Sequence, residues 1–328
     1  MKSVTEDITN NSFKPVYLFF GEEVYLKQQY KKKLRDAILP DGDTMNLSIY
    51  SGKGINVDEV IAQAETMPFF AEHRLILLEG SGFFKNASPQ LAEYIPAIPE
   101  GSILLFVEDE VDKRGRLYKA VKAKGRVIEF TAQDEKTLTR WILGILKQEN
   151  KQITRSAMTL LLERTGTDME RIRQELEKLV CYCMDQEAIG EEDVQMICCT
   201  QTENKIFDMI NAMAEKKQKR AMELYYDLLA LKEPPMRILY LITRQFNLLM
   251  QVKELRRDGY DGKTIGERLK VAGFIARNYM RQAECFTLDR LKQAVNDCVE
   301  MEEAVKTGRM NDVMSVELLL VKYSAQER

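Results

Sequence analysis

The chain has 328 residues, 45% of them hydrophobic and 30% charged, so it is long enough for two or three domains and too apolar for a disordered protein. The 48 Lys and Arg nearly balance the 51 Asp and Glu, which excludes a polycation that binds nucleic acid over its whole surface. The single histidine, His73, excludes His-based zinc catalysis and leaves a Ser-His-Asp triad dependent on one residue.

Membrane, export and disulfide signals are absent from the sequence. No apolar stretch approaches the roughly 18 residues of a membrane span, and the polar segment before Asn11 has no signal-peptide core. Six cysteines are too sparse for a disulfide framework in a chain of this length: Cys181, Cys183, Cys198, Cys199, Cys285 and Cys298. We therefore expect a cytoplasmic protein with no metal or cofactor and with reduced thiols in helical core positions.

The first third of the chain alternates short β-rich runs with helical stretches. Strands are predicted at residues 16–20, 46–50, 75–78, 103–107 and 127–130. Helix-compatible stretches lie between them, at residues 22–38, 57–66, 89–95 and 113–124. Apolar strands separated by crossover helices predict a parallel sheet covered on both faces, in an α/β domain over residues 1–133.

From Asp134 onward the apolar residues recur at steps of three and four, which predicts helices only. Gly166 fits a helix stop and Asp168 a helix N-cap, inside a small helical domain over residues 134–203. Further stripes, interrupted by two prolines at 234–235, predict a helical bundle over residues 204–328.

An α/β sheet binds its ligands beyond the carboxyl ends of its strands, so the turn after the first strand is where a nucleotide is expected. A phosphate loop needs several glycines, a lysine, and a Ser or Thr for Mg²⁺. The turn offers Gly21, Glu22 and Glu23, whose carboxylates repel a triphosphate. With Asp109 after the fourth strand, it is interpreted as a degenerate nucleotide site. The acids at residues 108–110 are interpreted as a solvated rim and not as catalytic residues. His73 is interpreted as a surface residue.

Four segments carry a family resemblance: Lys14–Leu26, Asp112–Ala120, Gly166–Leu179 and Ile206–Leu229. In this order they resemble the delta subunits of bacterial DNA polymerase III, a clamp-loader AAA+ family in which a Gly-Glu-Glu turn replaces the phosphate loop. The resemblance extends over about residues 14–325. It implies an AAA+-like parallel-sheet domain, a helical lid, and a C-terminal helical collar through which subunits oligomerise.

The resemblance also implies a function. A delta subunit binds and opens the sliding clamp (beta), working with gamma or tau and delta-prime subunits so that the clamp is loaded on primed DNA. It has no catalytic residues of its own, and nucleotidyltransferase activity belongs to the polymerase holoenzyme. Two alternatives stay open: a divergent AAA+ ATPase that uses Asp109, and a structural adaptor of another AAA+ assembly.

The implied clamp-binding residues are Met67, Phe69 and Phe70, which follow the predicted helix at 57–66. Pro68 disfavours helical backbone at the residue before it, so the helix ends there. In family members an apolar pair at this position enters a pocket on the clamp. The alternative is that these side chains pack the helix against the sheet.

Charge is divided unevenly along the chain. Residues 205–328 contain 22 Lys and Arg against 18 Asp and Glu, a net charge of +4, which leaves −7 for the first 204 residues. A basic bundle is consistent with contacts to DNA phosphates. Lys306 and Arg309, which precede the last predicted helix, are the candidates for that contact.

Overall fold

The computed structural model describes residues 2–39, 42–86, 88–198 and 202–325, with only the backbone of Glu203. Internal contacts group the chain into two units, residues 1–133 and 134–328. The predicted division of the second unit into a lid and a collar at residues 203–204 stays a prediction.

The first unit is built on a five-stranded parallel sheet with the strand order β2-β3-β4-β1-β5. Its strands are Val16–Phe20 (β1), Leu47–Ser51 (β2), Arg74–Glu79 (β3), Ser102–Glu108 (β4) and Arg126–Glu129 (β5). Every residue of β1 and β4 is buried, as expected for central strands covered on both faces. Phe20 pairs with Glu108, so the carboxyl ends of β1 and β4 meet.

Helices cover both faces of this sheet. They are Lys2–Thr9 (α1), Val24–Ile38 (α2), Val57–Glu65 (α3), Pro89–Tyr94 (α4) and Arg116–Lys124 (α5), with a short 3₁₀ turn at Ile95–Ala97. Leu18 and Phe20 of β1 pack with apolar residues of α3, α4 and α5. Tyr17 and Phe19, which point to the opposite face, pack with those of α1 and α2. The predicted α/β class is confirmed.

The second unit is mainly helical, as predicted, but it also contains one short strand pair that the prediction of helices only did not include. Its helices are Glu135–Gln148 (α6), Arg155–Thr165 (α7), Met169–Tyr182 (α8), Glu191–Ile197 (α9), Thr202–Ala214 (α10), Gln218–Ala230 (α11), Pro235–Arg257 (α12), Gly262–Leu269 (α13), Gly273–Glu284 (α14), Leu288–Lys306 (α15) and Asp312–Ser324 (α16). Two very short strands, Gln152–Ile153 (β6) and Ala188–Ile189 (β7), form a parallel pair. One apolar core joins α10 through α16.

The cysteines only partly follow the prediction. Cys183, Cys198 and Cys298 are buried free thiols, whereas Cys181 and Cys285 are free but exposed, so the prediction of core positions was wrong for these two. Cys199 lies outside the described residues.

The described part of the chain brings together no group of three or more His, Cys, Asp or Glu that could hold a metal ion. Each helix within the described ranges is too short or too polar to cross a membrane.

Candidate functional site

The loop between α3 and β3 carries three exposed apolar side chains, and we call its residues 67–70 the aromatic tip. Met67 is 83%, Phe69 56% and Phe70 96% exposed. The helix α3 ends at Glu65, and its C-cap, Thr66, already has extended backbone. Because all three side chains are mostly exposed, the alternative in which they pack α3 against the sheet was wrong.

The aromatic tip has a defined shape. The two phenylalanine rings meet edge to face, with centroids 4.7 Å apart and planes at 86°. Phe70 has a φ of +51°, in the left-handed region that a bulky residue rarely adopts. Pro68 packs so closely on Gly101 that a Cβ at that glycine would lie 3.1 Å from the proline Cγ. The base of the loop is thus packed while its rings face solvent.

The turn after β1 is closed by its neighbours and has no open phosphate cradle. The Gly21 N–H donates to the Asp109 carbonyl (3.2 Å), and the Glu23 N–H donates to the Phe130 carbonyl (3.0 Å). Gly21 has a φ of +120°, and a Cβ there would lie 2.3 Å from the Phe130 carbonyl oxygen. Only glycine fits this position.

The two carboxylates of this turn have different surroundings. Glu22 is exposed, whereas Glu23 is buried and accepts a hydrogen bond from the Tyr25 N–H (3.2 Å) as the N-cap of α2. A helix N-terminus is where a phosphate group usually binds, through the free backbone N–H groups. The capping carboxylate already bonds one of those groups. The Glu23 carboxylate thus occupies part of the phosphate position at the N-terminus of α2, in addition to the predicted repulsion between carboxylates and a triphosphate.

Lys27 belongs to this site but was not among the predicted site residues. The residue is only 2% exposed, and its ammonium group donates to the Gly21 carbonyl (3.1 Å), the Glu108 carbonyl (2.9 Å) and the Asp109 carboxylate (2.7 Å). An internal cation therefore joins the carboxyl ends of β1 and β4. The signal that could have revealed it is a lysine at the helical spacing of the buried Leu34 and Ile38 of α2.

The acids at residues 108–110, where β4 ends, do not form one solvated rim. The Asp109 side chain is 90% exposed, as predicted. Glu108 is buried, and its carboxylate accepts hydrogen bonds from the Ser81 N–H (3.0 Å), the Ser81 hydroxyl and the Gly82 N–H (3.3 Å). Burial raises the pKa of the Glu108 carboxyl above its ordinary value, against the lowering effect of those bonds. Glu108 thus ties the end of β4 to the loop after β3.

His73 and the candidate DNA contacts differ in exposure. His73 is half-buried, where a surface position was expected, and its ring meets Phe13 edge to face at 5.6 Å.

Lys306 and Arg309 are exposed and form ion pairs with Glu302 (2.5 Å) and Glu303 (3.1 Å). Such surface pairs contribute about 0–1 kcal/mol and exchange easily. A DNA role for these two residues stays a prediction.

Comparison with known families finds two matches along the chain. The sequence model of a family described as "DNA polymerase III, delta subunit" matches residues 17–131. A second, described as "DNA polymerase III delta subunit, C-terminal domain", matches residues 203–323. One match falls in each unit.

Individual relatives cover most of the chain. The DNA polymerase III subunit delta of Bacillus subtilis (strain 168) is 30% identical over 332 aligned residues, which cover 97% of this chain and 95% of the relative. The probable DNA polymerase III subunit delta of Aquifex aeolicus (strain VF5) is 20% identical over 259 residues, 75% of this chain and 73% of the relative. The solved structure of the Bacillus subtilis DNA clamp loader delta protein (YqeN) has a TM-score of 0.71 at 28% identity and covers 99% of both chains.

Proposed function

This chain belongs to the DNA polymerase III delta subunit family, and from that premise we propose that it binds the sliding clamp through the aromatic tip and opens the clamp ring for loading on primed DNA. A role in the clamp loader follows from the family and from the similarity to a clamp loader delta protein. The proposed partners are the beta clamp, the gamma or tau and delta-prime subunits, and primed DNA within the complex.

The exposure of the aromatic tip is the observation that carries this proposal. Large apolar side chains that are exposed together are typical of interaction sites, whereas single exposed ones are common everywhere. Aromatic residues and methionine are also enriched in protein interfaces. Phe69, Phe70 and Met67 satisfy both criteria on one short loop.

The rings are large enough to dominate an interface. Full burial of one phenylalanine side chain contributes roughly 1.5–3 kcal/mol. Phe70 is almost fully exposed and Phe69 just over half exposed, so their burial in a pocket contributes about 2–5 kcal/mol together. That range is typical of an interface hot spot.

The degenerate nucleotide site supports a subunit that does not hydrolyse ATP itself. Glu23 and Lys27 engage the helix N-terminus and the strand ends where a nucleotide phosphate would bind. In the proposed mechanism, ATP bound by partner subunits changes the geometry of their assembly and so controls whether the aromatic tip reaches the clamp. The coupling then lies at subunit interfaces and not in a local active site.

A calorimetric titration with the cognate clamp tests the proposal. Phe69→Ala combined with Phe70→Ala is expected to weaken clamp binding about a hundredfold, or about 2.7 kcal/mol. Both rings are exposed, so the fold should persist. Val24→Ala, which shortens an exposed apolar side chain on α2, is the control and should leave the affinity unchanged. Equal affinities of the double variant and the wild-type chain would refute the proposal.

A further inference from the structure

One buried side chain holds the backbone of the aromatic tip. The amide oxygen of Asn46 accepts from the Phe69 N–H (2.6 Å), and its amide nitrogen donates to the Phe69 carbonyl (2.9 Å). Both polar groups of one tip residue are thus paired by a side chain 23 positions earlier in the chain. Asn46 itself is 1% exposed, so water does not compete freely for these bonds.

Asn46 is fixed to the edge of the sheet. It directly precedes β2, and its backbone carbonyl accepts from the N–H of Leu75 in β3 (2.8 Å). The Asp43 carboxylate accepts a hydrogen bond from the Asn46 amide nitrogen (2.6 Å) and another from the Asn46 backbone N–H (3.2 Å). A carboxylate only accepts, so the amide nitrogen must face Asp43 and the amide oxygen must face the Phe69 N–H. The orientation of the amide is therefore determined by its partners.

The side chains of the aromatic tip cannot supply this constraint themselves. Both rings are exposed, so packing against the core contributes little to their placement. Phe70 also has a left-handed φ, which persists only where the surrounding structure determines the backbone. The two hydrogen bonds from Asn46 reach the residue directly before it.

We propose that Asn46 is a positioning residue that presets the aromatic tip in its clamp-binding conformation. The proposal rests on the proposed function, since it concerns the same contact. The conformational entropy of the tip is lost when the protein folds, so less is lost when the clamp binds. Asn46 acts through the backbone of Phe69 and needs no contact with the clamp.

Two readouts on Asn46→Ala test the proposal. The first is hydrogen exchange of the Phe69 amide in the free chain, which is expected to become at least about tenfold faster because its acceptor is removed. The second is affinity for the cognate clamp, which is expected to fall about tenfold with both rings still present. In a background that already carries Phe69→Ala and Phe70→Ala, Asn46→Ala should cause no further loss.

Two further variants separate positioning from stability. Asn56→Ala makes the same change at the exposed N-cap of α3, where it costs helix stability, and should alter neither readout. Asp43→Ala removes the partly buried carboxylate that orients the Asn46 amide and also accepts from the backbone N–H groups of Met45 and Asn46. It should move both readouts in the same direction, by about threefold.

The outcomes distinguish the two proposals. Unchanged exchange at Phe69 in Asn46→Ala, or faster exchange with unchanged clamp affinity, would overturn the positioning role while leaving the proposed function intact. A wild-type chain that does not bind the clamp would overturn the proposed function and the positioning role together.

Discussion

Replacing Lys27 by methionine removes the cation that joins the ends of β1 and β4 while keeping a side chain of similar length. The Glu108 carbonyl then loses its donor at a buried bond and the Gly21 carbonyl at a partly buried one, at about 1–3 kcal/mol each. Asp109 is exposed, so water solvates its freed carboxylate, and the desolvation cost of the buried ammonium is relieved. We expect a net destabilisation of the first unit by about 2–3 kcal/mol.

Hydrogen exchange of the β1 and β4 amides measures this effect in the unit concerned. Where exchange reports the opening free energy, 2–3 kcal/mol corresponds to about 30- to 150-fold faster exchange. The single tryptophan, Trp141, lies in α6 of the second unit, so its fluorescence reports the unfolding of that unit. As an internal control, the urea midpoint of this fluorescence transition should be the same in the variant and the wild-type chain. Lys32→Met makes the same change on the exposed face of α2. Equal exchange in β1 and β4 for Lys27→Met and Lys32→Met would show that Lys27 does not stabilise these strand ends.

Two more predictions concern Glu108 and DNA. Because its pKa is raised in the folded chain, Glu108 holds its proton more tightly there than when unfolded, so its contribution to stability falls as pH rises from the ordinary carboxyl pKa through the raised one. Glu108→Gln should remove that part of the pH dependence of the unfolding free energy, measured in urea by hydrogen exchange of the β4 amides. An unchanged pH profile would show that Glu108 does not cause this dependence. The isolated chain should bind primed DNA weakly with a steep salt dependence, which Lys306→Ala with Arg309→Ala should reduce. Nanomolar binding insensitive to salt would argue for another function.

Much of the first unit could be predicted from local patterns. The runs that became β1 and β4 are apolar throughout because both of their faces are covered, and no helical periodicity competes with that assignment. The end of α3 followed from Pro68, and with it the start of the exposed loop. These features depend on residues within a few positions of one another.

Other features depend on partners that are distant in sequence. The helix α1 is polar, and its Asp7 is held by Tyr17 (3.1 Å) and by Arg126 (3.0 Å), which is 119 positions away. Nothing near Asp7 in the chain indicates these contacts. The first helix was therefore missed.

The same reason explains the errors at the site. Lys27 looks like one of many surface lysines until the ends of β1 and β4 are brought beside it. Glu108 looks like a rim carboxylate until the loop after β3 supplies its donors. Asn46 precedes a strand without any local sign that it bonds Phe69. In each case the partner of the polar group is distant in sequence, so the local pattern does not reveal the contact.

The proposed function is tested most directly by asking whether the purified chain opens its clamp through the aromatic tip. The cognate clamp, carrying a donor and an acceptor dye across one interface of the ring, is mixed with saturating wild-type chain and with the variant that lacks both phenylalanine rings. Energy transfer is expected to fall with the wild-type chain and to stay at the value of the closed ring with the variant. Equal loss of transfer with both proteins, or none with the wild-type chain, would contradict the proposed function.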